Sequence, residues 1–137
     1  MGQKSVEAIL EKVSNALEAL LEETKPVIVE GRKDREALVN LGIPEERILV
    51  IHSGQSLLVR CEDISQGYPD IILLPDWDVK GQEFLLSLKS NFEQTGVHCD
   101  ISFWEVFSTC CRPYIKDVES LPVFWDYLLK EKERMKR

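Results

Sequence analysis

Apolar positions follow two patterns along the chain, a helical period and short uninterrupted runs. From Ser5 to Glu23 they recur three and four residues apart, which predicts an amphipathic N-terminal helix over residues 5–23 that ends before Pro26. The runs PVIVE, ILVI and DIILLP lack the alternation of a half-exposed strand, and therefore predict three strands buried on both faces. The run HCDIS predicts a weaker fourth strand.

The segments between and after these strands have helical spacing. Helices are predicted over residues 33–41, 55–64 and 81–95, followed by one short and one longer helix within residues 103–137. Strands that alternate with helices form βαβ units, so the sequence predicts a single α/β, Rossmann-like domain over residues 1–137 with about four parallel strands. We expect the strand order 2-1-3-4, which makes strands one and three neighbours and places a site at their carboxyl ends.

Composition and charge restrict the class of protein. The chain has 137 residues, with 17 Lys and Arg against 24 Asp and Glu, for a net charge of −7. No apolar run approaches the length of a membrane span, and the first residues lack a signal-peptide core, so we expect a cytoplasmic protein without a membrane partner. The four cysteines show no C-x-x-C spacing, which predicts reduced thiols. Net acidity argues against a broad nucleic-acid clamp but permits a local basic patch.

Three carboxylates follow the two strands that we expect to be neighbours. Glu30 ends strand one, and Asp76 and Asp78 follow strand three. At close range like charges disfavour simultaneous ionisation, and a hard divalent cation such as Mg²⁺ would compensate for them through oxygen ligands. Aspartates after a strand also serve as turn and helix-cap residues, but a glutamate that ends a buried strand has no such explanation. The pattern therefore predicts a Mg²⁺ site.

The two motifs together, Glu-Gly after strand one and D-x-D-x-x-G after strand three, resemble the TOPRIM domain. That domain is shared by type IA and type II topoisomerases, bacterial primases, OLD-type nucleases and the 5S rRNA maturation nuclease. The resemblance covers about residues 25–102, the predicted TOPRIM core, and leaves residues 103–137 as a C-terminal helical extension. The length, the N-terminal helix and the stretch IKDVESL look most like the small stand-alone TOPRIM proteins of archaea and bacteria.

The resemblance implies a role for each motif residue. Glu30 matches the glutamate that ligates the first metal and acts as general acid or base. Asp76 matches the aspartate that binds both metals, Asp78 matches the ligand of the second metal, and Gly31 and Gly81 match the motif glycines. The implied cofactor is Mg²⁺, as two ions, with Mn²⁺ able to substitute.

Basic residues beside the carboxylates complete the predicted site. Arg32, Lys33 and Lys80 flank the motifs and are expected to hold a nucleic-acid backbone, RNA rather than DNA. The predicted function is Mg²⁺-dependent phosphodiester cleavage or transfer, as a nuclease or phosphotransferase in RNA maturation. A non-catalytic metal-binding TOPRIM module in a nucleic-acid or ribonucleoprotein assembly is the alternative. Receiver domains and haloacid-dehalogenase phosphatases place their acidic motifs differently, and no oligomeric state is predicted.

Overall fold

The computed structural model describes residues 2–136, in which strands and helices alternate along the chain. The strands are β1 Val27–Val29, β2 Ile48–Val50, β3 Asp70–Leu73 and β4 His98–Asp100. The helices are α1 Gln3–Glu22, α2 Arg32–Asn40, α3 Leu57–Gly67, α4 Val79–Gln94, α5 Ser102–Cys111 and α6 Leu121–Met135, with a short 3₁₀ helix at Glu45–Arg47.

The four strands form one parallel sheet in the order β2-β1-β3-β4, which confirms the predicted order. Val27 of β1 is in register with Ile48 on one side and with Ile72 on the other. All three residues of β1 are buried, as their unbroken apolar run predicted. The α/β, Rossmann-like class predicted from the sequence is therefore confirmed.

Helices cover both faces of the sheet. Helix α3 packs against α4, whereas α1 packs against α5 and α6, and α2 packs against α6. After β1 the chain moves outward to β2, and after β2 it moves back past β1 to β3. Because such crossovers are right-handed, these opposite directions place the connecting helices on opposite faces of the sheet. Within residues 2–136 no helix is both long enough and apolar enough to cross a membrane.

Side-chain caps account for two of the differences between predicted and observed helix starts. Helix α3 begins at Leu57 because the Ser56 hydroxyl accepts a hydrogen bond from the Val59 amide at 3.3 Å. Helix α4 begins at Val79, two residues before the predicted start, because Asp78 caps it. The strands are shorter than predicted, so Glu30 lies one residue beyond β1.

Candidate active site at the carboxyl edge of the sheet

Glu30 links the ends of three strands. Its carbonyl oxygen accepts a hydrogen bond from the His52 amide, two residues beyond β2, at 3.1 Å. Its carboxylate oxygen Oε2 accepts one from the Asp76 amide, beyond the end of β3, at 2.8 Å. Strands β1 and β3 are neighbours in the sheet, and their pairing brings together two of the predicted ligands, which are 46 residues apart in sequence.

The Asp76 loop is held by the segment between α5 and α6. The Val118 amide donates to Asp76 Oδ1 at 3.0 Å, and Trp104 Nε1 of α5 donates to the Asp76 carbonyl at 3.0 Å. The next residue, the buried Trp77, donates from its amide to the Lys116 carbonyl at 2.9 Å and from Nε1 to the Ile115 carbonyl at 2.7 Å. Four hydrogen bonds therefore make the C-terminal extension part of the site.

Asp78, the third predicted ligand, is oriented differently from Asp76. Its Oδ1 accepts from the Gly81 amide at 2.6 Å and caps α4, and the side chain is exposed. Asp34, Glu30 and Asp117 are the carboxylates that act most strongly on Asp76. The structure therefore brings Glu30 and Asp76 together but leaves Asp78 at the helix cap.

Gly81 permits the close approach of α4 to the Asp76 loop. A Cβ atom on Gly81 would collide with the carbonyl oxygen and carbon of Asp76. Any side chain at this position would displace the loop that carries the aspartates, which is a packing reason for the second motif glycine. The first, Gly31, is the N-cap of α2, and its amide donates to Asp34 Oδ2 at 3.0 Å.

Three further acidic residues surround the pair. Asp34 is buried, and burial together with the charges of Glu30, Glu119 and Asp117 raises the pKa of its carboxyl above its ordinary value, although the Gly31 amide opposes this shift. Burial also raises the pKa of Asp76 to about 7, with Asp34, Glu30 and Asp117 adding to the shift and the Val118 amide opposing it. Negative charge is thus concentrated in a half-buried position.

The donor chemistry of Glu30 and Asp76 fits a hard cation such as Mg²⁺. Each carboxylate uses one oxygen to accept a backbone amide and has a second oxygen that receives no hydrogen bond from residues 2–136. No group of three or more His, Cys, Asp or Glu side chains in the described part of the chain is arranged to hold a metal ion. Mg²⁺ is commonly held by only one or two carboxylates together with water and substrate phosphate, and this pair has that composition.

The predicted basic residues lie in two different places. Arg32 and Lys33, in the first turn of α2, line a cavity of about 960 Å³ together with Asp76, His52 and Arg60. Lys80 instead lines a separate groove of about 500 Å³ on the Asp78 side of the loop. Of the three predicted basic residues, Arg32 and Lys33 therefore share a cavity with Asp76, and Lys80 does not.

Asp34, Asp117 and Glu119 were not named as site residues from the sequence. Asp34 follows Glu30 closely in the sequence, and this short separation could have identified it as a site residue. Asp117 and Glu119 lie in the loop after α5, within the stretch IKDVESL, whose resemblance to the small TOPRIM proteins could have identified them. No periodic pattern indicates that this loop folds back onto the ends of β1 and β3.

Comparisons with known proteins agree with this architecture. The fold is similar to that of a putative protein from Aquifex aeolicus, with a TM-score of 0.67 and 22% identity, over 79% of this chain and 96% of that protein. No family model matches the sequence.

Sequence relatives place the chain in a family. It is 30% identical over 110 residues to a UPF0292 protein of Thermoplasma volcanium, covering 80% of this chain and 90% of the relative. It is 31% identical over 105 residues to a UPF0292 protein of Thermococcus gammatolerans, covering 77% of each. A UPF0292 protein of Methanocaldococcus jannaschii is 29% identical over 99 residues, which are 72% of this chain and 77% of the relative. The chain belongs to the UPF0292 family.

The packing of Gly81 predicts a large effect of a single methyl group. Gly81→Ala should lower the free energy of unfolding by about 1–3 kcal/mol or more, because the new Cβ overlaps the Asp76 backbone. Denaturant unfolding measures this change. The matched control is Gly67→Ala at the end of α3, where a Cβ meets nothing within 4 Å. Equal stability of the two variants would contradict the close approach of α4 to the loop.

The raised pKa of Asp76 predicts a pH-dependent effect of Asp76→Asn in metal-free buffer. The folded-state pKa of about 7 lies above the ordinary aspartate pKa of 3.8, so this group stabilises the fold below pH 3.8, and that contribution is lost as the pH rises through about 7. Asparagine retains an oxygen for the Val118 amide but never ionises. The variant should therefore gain stability over the wild type above about pH 7 and lose that advantage near pH 3.8. A stability difference independent of pH, measured by denaturant unfolding, would contradict the shift.

Proposed function

We propose that this protein is a Mg²⁺-dependent nucleic-acid-processing protein of the TOPRIM type that cleaves or transfers phosphodiesters. The observation that carries the proposal is the contact between Glu30 and Asp76 at the carboxyl ends of adjacent parallel strands, where α/β sheets place their sites. Glu30, Asp76 and, in the full motif, Asp78 are the proposed ligands. Mn²⁺ is expected to substitute for Mg²⁺.

The free carboxylate oxygens beside basic residues support phosphate chemistry. A bound Mg²⁺ would polarise a phosphoryl oxygen and lower the pKa of a coordinated water. Glu30 would hold the cation or exchange a proton with the reacting group, and its orientation is set by the Asp76 amide. Such a site needs a donor for the phosphate oxygens that the carboxylates would otherwise repel.

Helix α2 supplies such donors. Arg32 and Lys33 form no ion pair within residues 2–136 and lie in the first turn of α2, where backbone amides and the helix dipole favour an anion. We propose that they bind the backbone phosphate next to the carboxylates. RNA is the proposed substrate, and the cytoplasm, where the four free cysteines would remain reduced, is the proposed location.

Metal binding is the first test of this proposal. If Mg²⁺ binds only the folded state, it should stabilise the protein by about 2.7 kcal/mol at a free concentration near 100 times Kd. A thermal or denaturant unfolding series with and without MgCl₂ measures this effect. Glu30→Gln and Asp76→Asn should each reduce it strongly, because each removes a negative charge from the proposed ligands.

Glu18→Gln is the matched control for this measurement. It makes the same chemical change at an exposed position of α1, a helix that leads into the amino end of β1 at the opposite edge of the sheet. It should leave the Mg²⁺ effect unchanged. An equal effect of Mg²⁺ on all four proteins would place the metal elsewhere.

Cleavage is the second test. Purified protein with Mg²⁺ or Mn²⁺ should slowly cleave structured RNA, and EDTA should abolish the reaction. Glu30→Gln should reduce the rate by about 10²–10⁴-fold, the usual range for the loss of a general acid or base. Glu18→Gln should cleave at the wild-type rate, measured by gel electrophoresis of end-labelled RNA.

Two results would contradict catalysis at this site. Cleavage that survives Glu30→Gln undiminished would indicate a contaminating nuclease. Confirmed Mg²⁺ binding without cleavage of a broad set of RNA and DNA substrates would favour the alternative, a non-catalytic metal-binding module in a nucleic-acid or ribonucleoprotein assembly.

A further inference from the structure

A second concave surface lies on the other side of the loop that carries the aspartates. This groove, of about 500 Å³, is lined by three basic residues from two parts of the chain, Lys80 of α4 and Arg112 and Lys116 of the loop after α5. All three residues are exposed. Asp78 is the one carboxylate among its lining residues, and its Oδ1 accepts from the Gly81 amide.

The positive charge of this groove has little compensation within the described chain. None of the three basic residues forms an ion pair in residues 2–136, although the protein carries a net charge of −7. Arg112 donates to the Ser108 hydroxyl at 2.8 Å through Nη2, which leaves its other donors available. Three like charges around one groove repel one another, and an anion between them would remove that repulsion.

Backbone contacts determine where these cations lie. The Lys116 carbonyl accepts from the Trp77 amide at 2.9 Å, which anchors the loop after α5 beside the loop after β3. Lys80 lies in the first turn of α4, whose N-terminal end adds a positive dipole. The groove is therefore a product of the same contacts that hold the Asp76 loop.

The groove and the carboxylate site are adjacent along one short loop. Asp76 lines the cavity with Arg32 and Lys33, whereas Asp78 lines the groove with Lys80. Two residues of extended chain span at most about 7 Å, and successive phosphates of a strand rise by about 3.4 Å along a duplex axis. One strand of a few nucleotides is long enough to reach both surfaces.

We propose that Lys80, Arg112 and Lys116 form a binding site for backbone phosphates of a nucleic-acid strand that crosses the Asp76–Asp78 loop. This inference rests on the proposed function and extends it, because it adds two residues of the C-terminal extension to the substrate-binding surface. The strand then has basic contacts on both sides of the carboxylates, from Arg32 and Lys33 on one side and from the groove on the other.

Binding without metal tests the groove separately from catalysis. The probe is a fluorescein-labelled single-stranded oligouridylate, followed by fluorescence anisotropy in EDTA across a series of KCl concentrations. The triple variant Lys80→Gln, Arg112→Gln, Lys116→Gln should bind about tenfold more weakly or worse than the wild type at low salt. The slope of log K against log[KCl] should become shallower by about 2, since each single-strand phosphate contact contributes about 0.7.

A charge-matched triple variant is the control. Lys130→Gln, Lys132→Gln, Lys136→Gln removes the same net charge from the exposed end of α6 and should retain the affinity and slope of the wild type. Arg112 also donates a hydrogen bond to Ser108, so a second variant is needed that breaks no such contact. The Lys80 side chain forms no hydrogen bond within residues 2–136, and Lys80→Glu should weaken binding as well. Circular dichroism and unfolding midpoints verify that each variant is folded.

The outcomes separate this inference from the proposed function. Absence of oligouridylate binding by the wild type, or equal weakening by both triple variants, would overturn the proposal that the groove binds backbone phosphates. Groove-dependent binding without Glu30-dependent cleavage would support the groove and overturn catalysis. Glu30-dependent cleavage with unchanged binding in the groove variant would support catalysis and overturn the groove.

Discussion

The hydrogen bond from the Asp76 amide to the Glu30 carboxylate is the contact on which the candidate site depends. It connects the ends of β1 and β3 at 2.8 Å, just beyond the last paired residues of the sheet. A carboxylate that accepts a backbone amide is held in one orientation by a charge-assisted bond. The strand ends, the loop that follows β3 and the start of α4 are therefore positioned relative to Glu30.

The C-terminal extension supports this arrangement from the other side. Trp104 and Val118 both donate to Asp76, and the buried Trp77 donates twice to the backbone before α6. These contacts hold Asp76 in a half-buried loop, and this burial raises the pKa of Asp76 to about 7, although the hydrogen bond from the Val118 amide opposes the shift. The C-terminal extension thus contributes hydrogen bonds to the candidate site as well as buried side chains to the core.

The two aspartates of the D-x-D motif have different surroundings because of one buried side chain. Trp77 lies between them in sequence and is buried, so Asp76 lines the cavity that also contains Arg32 and Lys33, and Asp78 lines the basic groove. Basic side chains thereby lie on either side of one short loop that carries two aspartates. An overall charge of −7 conceals these local basic residues, which is why net charge alone is a poor guide to what such a surface binds.

The sequence by itself determined the α/β class, because unbroken apolar runs that alternate with helical segments identify buried parallel strands. The order 2-1-3-4 was expected because it is common in such folds, and from that order the meeting of Glu30 with Asp76 followed. Cap residues shifted the helix boundaries, because they act through local hydrogen bonds that hydrophobic spacing does not register. Only the tertiary structure decided that the 112–120 loop folds onto the site, that Asp78 caps a helix, and that Lys80 is separate from Lys33. The Asp78 cap is a local bond to Gly81, whereas the position of the 112–120 loop and the separation of the two lysines depend on contacts between residues far apart in the chain. Neither periodicity nor motif spacing provides a signal for such distant contacts.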